Sequence, residues 1–254
     1  MPKFSVDLAT FNEEKNISAC LESVKEIADE IIIVDGSSTD QTVEIAKKFG
    51  AKVIVRENPK IFHINKQIAI DKTTKDWIIQ LDADEHLSKE SIKEIKEITN
   101  DTKFNGFWIP RKNYFLGRFL KKGGQYPDYT LRVYRRGKGH LPQKDVHEQA
   151  EVDGKVGYLK EPMLHYPYEN FSAYYKKWKR YNSIFADQIK EERHKKGLAY
   201  TLWQFPCYLL IKPVYWFLLT YIRHKGFVDS WQGFVFSFFS AIRFPVSFVK
   251  SFTN

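Results

Sequence analysis

Cysteine is almost missing from this 254-residue sequence: Cys20 and Cys207 stand alone, far apart, in no metal-ligand spacing. A disulfide framework and a Cys-built metal site are thereby excluded, and a reduced, cytosolic setting is expected. The N-terminus, Met1-Pro2-Lys3-Phe4-Ser5-Val6-Asp7, lacks a charged stretch followed by an apolar run, so no signal peptide is expected. Long uninterrupted apolar runs are also lacking. Trp203 to Ile222 and Gly226 to Ile242 have the length for a membrane helix, but Pro206, Lys212 and Pro213 break the first, while Asp229 and Gln232 lie in the second. Acidic residues are outnumbered, 31 against 40 Lys and Arg, giving a net charge of +9. That balance suits a polyanionic partner such as anionic lipid or a phosphorylated substrate. No nucleic-acid-binding motif stands out, because the aromatics gather in apolar runs rather than among cations as a stacking platform.

What is present is a folded composition, 43% hydrophobic and 16% aromatic. Strand and helix patterns alternate over the first hundred residues. Phe4 to Ala9, Glu30 to Val34, Lys52 to Val55 and Trp77 to Leu81 read as strands. Between them, Ile17, Cys20, Leu21, Val24 and Ile27 recur at helical spacing, Ser37 to Asp40 offers N-cap chemistry for a helix through Lys48, and Ile64 to Asp71 reads as a third helix. Ser88 caps a helix carrying Ile92, Ile95 and Ile98. Such alternation predicts βαβ units and a mainly parallel α/β sheet flanked by helices. Phe107 to Ile109 and Thr130 to Tyr134 read as further strands around a Gly- and Tyr-rich loop, Gly117 to Tyr129. The expected division is a nucleotide-binding and catalytic domain over 1–165 and an aromatic-rich helical region over 166–254. The tail, with Arg223, His224, Lys225, Arg243 and Lys250 beside its apolar runs, reads as interfacial or re-entrant helices on an anionic membrane surface. The alternative is a helical cap on the domain or a homo-oligomer interface.

Three short blocks follow predicted parallel strands, at the edge where open α/β sheets bind ligands: Ala9-Thr10-Phe11-Asn12-Glu13-Glu14, Val34-Asp35-Gly36-Ser37-Ser38-Thr39-Asp40 and Leu81-Asp82-Ala83-Asp84-Glu85. Carboxylates two residues apart on a tight turn can face one hard divalent cation, which in turn bridges a diphosphate. The bland alternative is an acidic turn before a helix N-terminus. Asp35 can accept from a base N–H or simply cap the next helix, and Phe11 can line a base or the core.

Taken together, in this order and spacing, the blocks resemble the family 2 inverting glycosyltransferases of the GT-A (Rossmann-like) fold. Tyr126-Pro127-Asp128, Leu131-Arg132-Val133-Tyr134 and Val146-His147-Glu148 resemble a bacterial subgroup that extends lipopolysaccharide core or similar lipid-linked glycans. The resemblance implies a nucleotide-sugar donor, Mg2+ or Mn2+, and a lipid-linked or saccharide acceptor at the inner face of the cytoplasmic membrane. It implies Asp35 as the base-reading carboxylate, Ala9, Thr10, Phe11 and Glu13 around the nucleotide, Asp82 near ribose and metal, and Asp84 as the direct metal ligand. Lys66 lies where the family often has a basic residue near the nucleotide, or is a solvated helix lysine.

Inversion needs a carboxylate to take the acceptor's proton. Many family members place it in a Glu-Asp pair; this chain has Asp145-Val146-His147-Glu148, which points to Glu148, with Asp145 its rival. His147 could orient the acceptor or contact phosphate. Asp128, Arg132 and Arg135 are weaker acceptor or phosphate candidates, Arg132 and Arg135 pointing to opposite strand faces. His165 is a core histidine or a neighbour of the metal. Two other classes compete: a nucleotidyltransferase on sugar phosphates, against which the glycine-free Thr10–Glu14 block argues, and a non-catalytic basic membrane-binding protein.

Overall fold

Residues 1–59, 61–142 and 149–253 are described by a computed structural model. The chain divides into two compact units, residues 1–112 with 128–165, and residues 113–127 with 166–254.

The first unit begins with the expected alternation: β1 (Phe4–Thr10), α1 (Ile17–Val24), β2 (Glu30–Asp35), α2 (Thr42–Lys48), β3 (Lys52–Val55), α3 (His63–Asp71) and β4 (Trp77–Gln80). A two-residue strand β5 (Glu85–His86) precedes α4 (Lys89–Asn100), which Ser88 and Ser91 close with a reciprocal capping box. There follow β6 (Gly106–Phe115), β7 (Arg118–Phe119), β8 (Asp128–Arg135), β9 (Gly139–His140), β10 (Glu151–Val152), β11 (Val156–Tyr158) and β12 (Met163–His165). The main sheet runs β3-β2-β1-β4-β8-β6-β12-β5. β3, β2, β1 and β4 are parallel neighbours, while β8 pairs antiparallel with β4 and β6, so the sheet is mixed.

Side-chain alternation along β1 separates the two faces. Phe4, Val6 and Leu8 enter the main core with Ile17, Leu21, Ile92 and Ile95 of α1 and α4. Ser5 and Asp7 face the other way and are fully buried. On that side Ile32 and Val34 pack on Ala69 of α3. The sheet therefore has an apolar face and a face into which polar groups are built.

One of those groups anchors the edge of the unit opposite the strand ends. Glu30 accepts from the Ser5 hydroxyl at 2.7 Å, the Thr74 amide at 2.8 Å and Lys52 Nζ at 3.0 Å. Burial alone would push its carboxyl up, but these donors outweigh burial and hold it down at about 2.

In the second unit β7 and the loop after it belong with α5 (Phe171–Pro206), α6 (Lys212–Phe217) and α7 (Ser230–Lys250). Phe115, Leu120 and Tyr174 pack together with Phe236 and Phe239. The Asp229 carboxylate accepts from the Lys121 and Lys122 amides at 3.1 and 2.7 Å. α5 breaks at Gly197, whose φ of 80° lies where only glycine is unstrained. Pro206, Lys212 and Pro213 interrupt the apolar run but not the helix. The helix runs from Thr201 to Arg223 through two wide π turns, Cys207–Ile211 and Leu218–Arg223. The first of these turns lies between Pro206 and Pro213, where it takes up hydrogen bonds that the prolines cannot donate, and Lys212 Nζ sits 3.5 Å from the Tyr208 ring centroid. This helix and the Gly226–Lys250 segment are long and apolar enough to cross a membrane by length and composition.

Because the Glu30 carboxyl is lowered from 4.5 to about 2, its contribution is complete above pH 4.5 and is lost as pH falls towards 2. Glu30→Gln should remove about 1–2 kcal/mol of unfolding free energy at neutral pH, less than the full shift because its partner Lys52 is solvent-exposed, and flatten the acid limb over that window; urea titrations at stepped pH measure both.

Candidate nucleotide-sugar site

Because β1, β2 and β4 are parallel, their carboxyl ends deliver three turns to one edge of the sheet. The turns after β1 and β2 are stitched together. Asn12, at φ 55°, donates its amide to Ser38 Oγ at 2.8 Å, and its side-chain oxygen accepts from the Thr39 amide at 2.8 Å. The Glu13 amide donates to Thr42 Oγ1, and the Glu14 amide to Asp40. Asp35 is fully enclosed: Oδ2 accepts from Thr10 Oγ1 at 2.8 Å and Ser38 Oγ at 2.7 Å, and Oδ1 from the Ser38 amide at 2.7 Å. A carboxylate has about four acceptor positions, so Oδ1 keeps capacity for one more donor. Ala9 pairs with Val34 in the ladder. Phe11 stands out of the core, 45% exposed at the head of its turn.

The third turn is organised by charge. The Asp82 amide donates to Glu85 Oε2 at 3.0 Å, and the Glu85 amide returns to the Asp82 carbonyl at 2.9 Å. Lys66 of α3 pairs with Asp82 Oδ1. Arg132 of β8 bridges Asp82 Oδ2 at 2.7 Å and Glu85 Oε1 at 2.8 Å. Arg111 of β6 continues from Glu85 Oε1 at 3.2 Å to Asp128 Oδ2 at 2.7 Å. Lys66, Asp82, Arg132, Glu85, Arg111 and Asp128 thus form one chain of alternating charge. Lys66 is buried, not a solvated helix lysine. Burial alone would raise the Asp82 carboxyl, but the Lys66 and Arg132 charges outweigh it and hold the group well below the carboxylate range. Burial would likewise depress Arg132, and Glu85 and Asp82 more than reverse that.

Asp84 points elsewhere. Its Oδ2 lies 3.6 Å from His165 Nε2 of β12, both side chains partly exposed. Next to it, burial depresses the His86 imidazole while Asp84 partly restores it. Among the described residues no group of three or more His, Cys, Asp or Glu converges as a ready metal cage. The carboxylate and imidazole of Asp84 and His165 are a donor pair that suits a divalent ion completed by phosphate oxygens and water.

Other expected residues lie apart. Arg135 donates to the Thr102 carbonyl at 2.9 Å and stacks on Trp77, 4.6 Å from the ring centroid. Asp128 holds the end of the charge chain. Asp145, His147 and Glu148 lie outside the described residues. Sequence reasoning assigned no role to Arg111 or Glu85. Arg111 lies beyond Ile109, where the expected strand ends, and Glu85 enters only as the last residue of its acidic block.

Asp7 lies beneath this turn with neither carboxylate oxygen in a close hydrogen bond. Burial pushes its carboxyl up to about 8, against the pull of Lys66 and Arg132. Burial thus favours its neutral form near pH 7, which leaves the charge chain undisturbed.

The glycosyl transferase family 2 model matches residues 5–161. The chain is 31% identical over 251 residues to an uncharacterized glycosyltransferase of Rickettsia felis, covering 92% of this chain and 84% of that one. It is 29% identical over 254 residues to the lipopolysaccharide core biosynthesis glycosyltransferase LpsC of Rhizobium meliloti, covering 94% and 90%. In three dimensions it is similar to S. aureus TarS 1-349 in complex with UDP-GlcNAc, with a TM-score of 0.51 and 17% identity over 99% of this chain and 91% of that one. The mixed sheet with its flanking helices is of the GT-A class.

A carboxyl raised from 3.8 to about 8 holds in the folded state a proton that the unfolded chain has lost, so its presence lowers stability as pH rises through that window and levels off above it. Asp7→Asn should remove a slope of about 1.4 kcal/mol per pH unit, seen as an unfolding free energy that no longer falls between pH 4 and 8 in denaturant titrations.

Proposed function

The chain belongs to glycosyl transferase family 2, and from that premise we propose that it transfers a hexose, with inversion, from a UDP-sugar to a lipid-linked or lipopolysaccharide-type acceptor. The observation that carries this reading is the Asp82-Ala83-Asp84 turn at the end of β4, with Asp82 neutralised by Lys66 and Arg132 and Asp84 turned towards His165. Glycosyltransferase membership takes the place of the nucleotidyltransferase alternative and of a non-catalytic basic protein.

Each donor-side residue has a role that its surroundings support. Asp35 is enclosed as it stands, so the remaining acceptor position on Oδ1 takes a uracil N3–H once the turn after β2 opens, and exposed Phe11 stacks on the base; Thr10 and Ala9 form the floor beside it, and Glu13 fixes the loop by accepting from Asn16. Asp82, held by two cations, presents its outer edge to the ribose. Asp84 and His165 would hold Mg2+ or Mn2+. When bound, that ion neutralises charge on the departing diphosphate. The acceptor oxygen attacks the anomeric carbon as the bond from that carbon to the phosphate oxygen breaks. The nucleoside diphosphate leaves with the electron pair, and the acceptor proton passes to a carboxylate, which we assign to Glu148 with Asp145 as its rival.

The acceptor class is supported by the name of the Rhizobium relative and by the second unit. Trp203, Leu210 and Trp231 are 59%, 64% and 58% exposed on helices of membrane length. Large apolar faces of this kind mark an interaction surface, and the chain's net charge of +9 favours an anionic one. The enzyme then works at the cytoplasmic face of the membrane.

A screen of nucleotide sugars with Mn2+ or Mg2+, following nucleoside diphosphate release, tests the reading. UDP-sugars should support release that a chelator abolishes. Asp84→Ala should lower it about a hundredfold or more, of the order that loss of a charge-stabilising contact costs. With an acceptor present, Glu148→Gln should do the same while Asp145→Asn retains most activity. Release of pyrophosphate instead, or full activity in Asp84→Ala, would count against the assignment.

A further inference from the structure

Within the second unit a cleft of about 400 Å³ opens between α5 and α7. It belongs to no part of the donor site. Tyr175, Trp178, Phe239, Ile242 and Val246 give it an apolar lining, with Lys179 and Lys250 also lining it. Lys250 Nζ donates to Ser183 Oγ at 2.7 Å, and Lys179 Nζ lies 5.0 Å from the Tyr175 ring centroid. Trp178 is fixed by donating its indole N–H to the Phe239 carbonyl at 3.0 Å. The remaining lining residue is Asn182, which is 4% exposed and whose side-chain amide nitrogen has no hydrogen-bond partner. A buried N–H donor without an acceptor is costly, so a ligand oxygen at this point would satisfy a group that the fold leaves unsatisfied. No lining residue is acidic.

We propose that this cleft binds the phosphate of an anionic lipid, with Lys179, Lys250 and the Asn182 amide on the phosphate oxygens and the aromatic and aliphatic lining around the first methylenes. Charge and polarity select the occupant. Two ammonium groups and an amide donor match an anion, whereas rings and branched carbons give nothing to free inorganic phosphate. The volume lies in the range of small-molecule sites, about 300–1,000 Å³, and holds a headgroup and its neighbouring carbons rather than whole chains. The acyl tails continue over exposed apolar residues of α7 such as Val246 and Val249. The proposal rests on the reading of the second unit as membrane-facing and adds to it a defined phosphate seat.

The full-length chain should be titrated by calorimetry with monomeric dihexanoyl phosphatidic acid, dihexanoyl phosphatidylcholine and inorganic phosphate, and by co-sedimentation with phosphatidylcholine vesicles with and without phosphatidic acid. Saturable binding of the short-chain phosphatidic acid is expected, with weaker binding of the choline lipid and no competition from inorganic phosphate at equal concentration. Lys179→Gln/Lys250→Gln should weaken it about tenfold or more, as expected for two lysines at an anionic surface. Val246→Trp, which fills the cleft and keeps its charge, should weaken it comparably. Lys176→Gln/Lys177→Gln, the same charge change outside the lining, should leave short-chain binding within about twofold. The proposal is overturned if the Lys176/Lys177 pair matters as much as the Lys179/Lys250 pair, if Val246→Trp has no effect, or if inorganic phosphate displaces the lipid. Nucleoside diphosphate release measured on the same proteins separates the two readings: the cleft variants should retain it, and its absence from the wild type would count against the donor assignment while the lipid titration stands by itself.

Discussion

Arg132 is the residue on which the candidate donor site depends. Its guanidinium reaches Asp82 and Glu85 from the adjacent strand β8, and so ties the turn after β4 to the antiparallel half of the sheet. Buried charge is expensive unless it is paired and hydrogen-bonded. Here each charge has opposite neighbours: Lys66 and Arg132 on Asp82, Arg132 and Arg111 on Glu85, and Asp128 closing the chain. The fork geometry of guanidinium suits this, since one side chain must serve two carboxylates at once. A buried pair of this kind is weak evidence for stability, and in the conformation it accompanies Asp84 faces His165 rather than the cations.

That separation gives the two aspartates different chemistry. Asp82 has its negative charge already balanced before any ligand arrives. Asp84 has an imidazole beside it and partial exposure. Adding a cation to Asp84 therefore does not require Asp82 to give up its partners. Asp7 contributes by staying neutral: a charged carboxylate below the turn would draw on Lys66 and Arg132, and burial keeps it protonated at pH 7. The turns after β1 and β2 add the second half of the site through backbone-to-side-chain hydrogen bonds rather than ion pairs, which leaves Phe11 in the open as a platform.

Much of this was legible in the sequence, for physical reasons. Strands β1 to β4 and the helices between them announce themselves because buried parallel strands are continuous apolar runs and their helices are amphipathic. The three motif turns follow directly, since they sit where those runs stop. Strand alternation also correctly assigned Arg132 and Arg135 to opposite sides. The charge chain was not legible, because Arg111 and Glu85 come from segments whose pattern gives no sign of burial. β6 is the clearest case: the expected strand ends at Ile109, yet its backbone continues the strand to Phe115. In the tail, Pro206, Lys212 and Pro213 break the apolar run, while the helical backbone continues past them through one π turn, with Lys212 over the Tyr208 ring.

Asp84, and not the neutralised Asp82, is the carboxylate through which we propose that a divalent cation would join the nucleotide to the protein. Calorimetric titration of UDP, with and without Mn2+, into the wild type and Asp84→Asn tests it most directly. The account predicts that Mn2+ strengthens UDP binding about tenfold or more in the wild type and leaves it nearly unchanged in Asp84→Asn. An equal gain from Mn2+ in both proteins would contradict it.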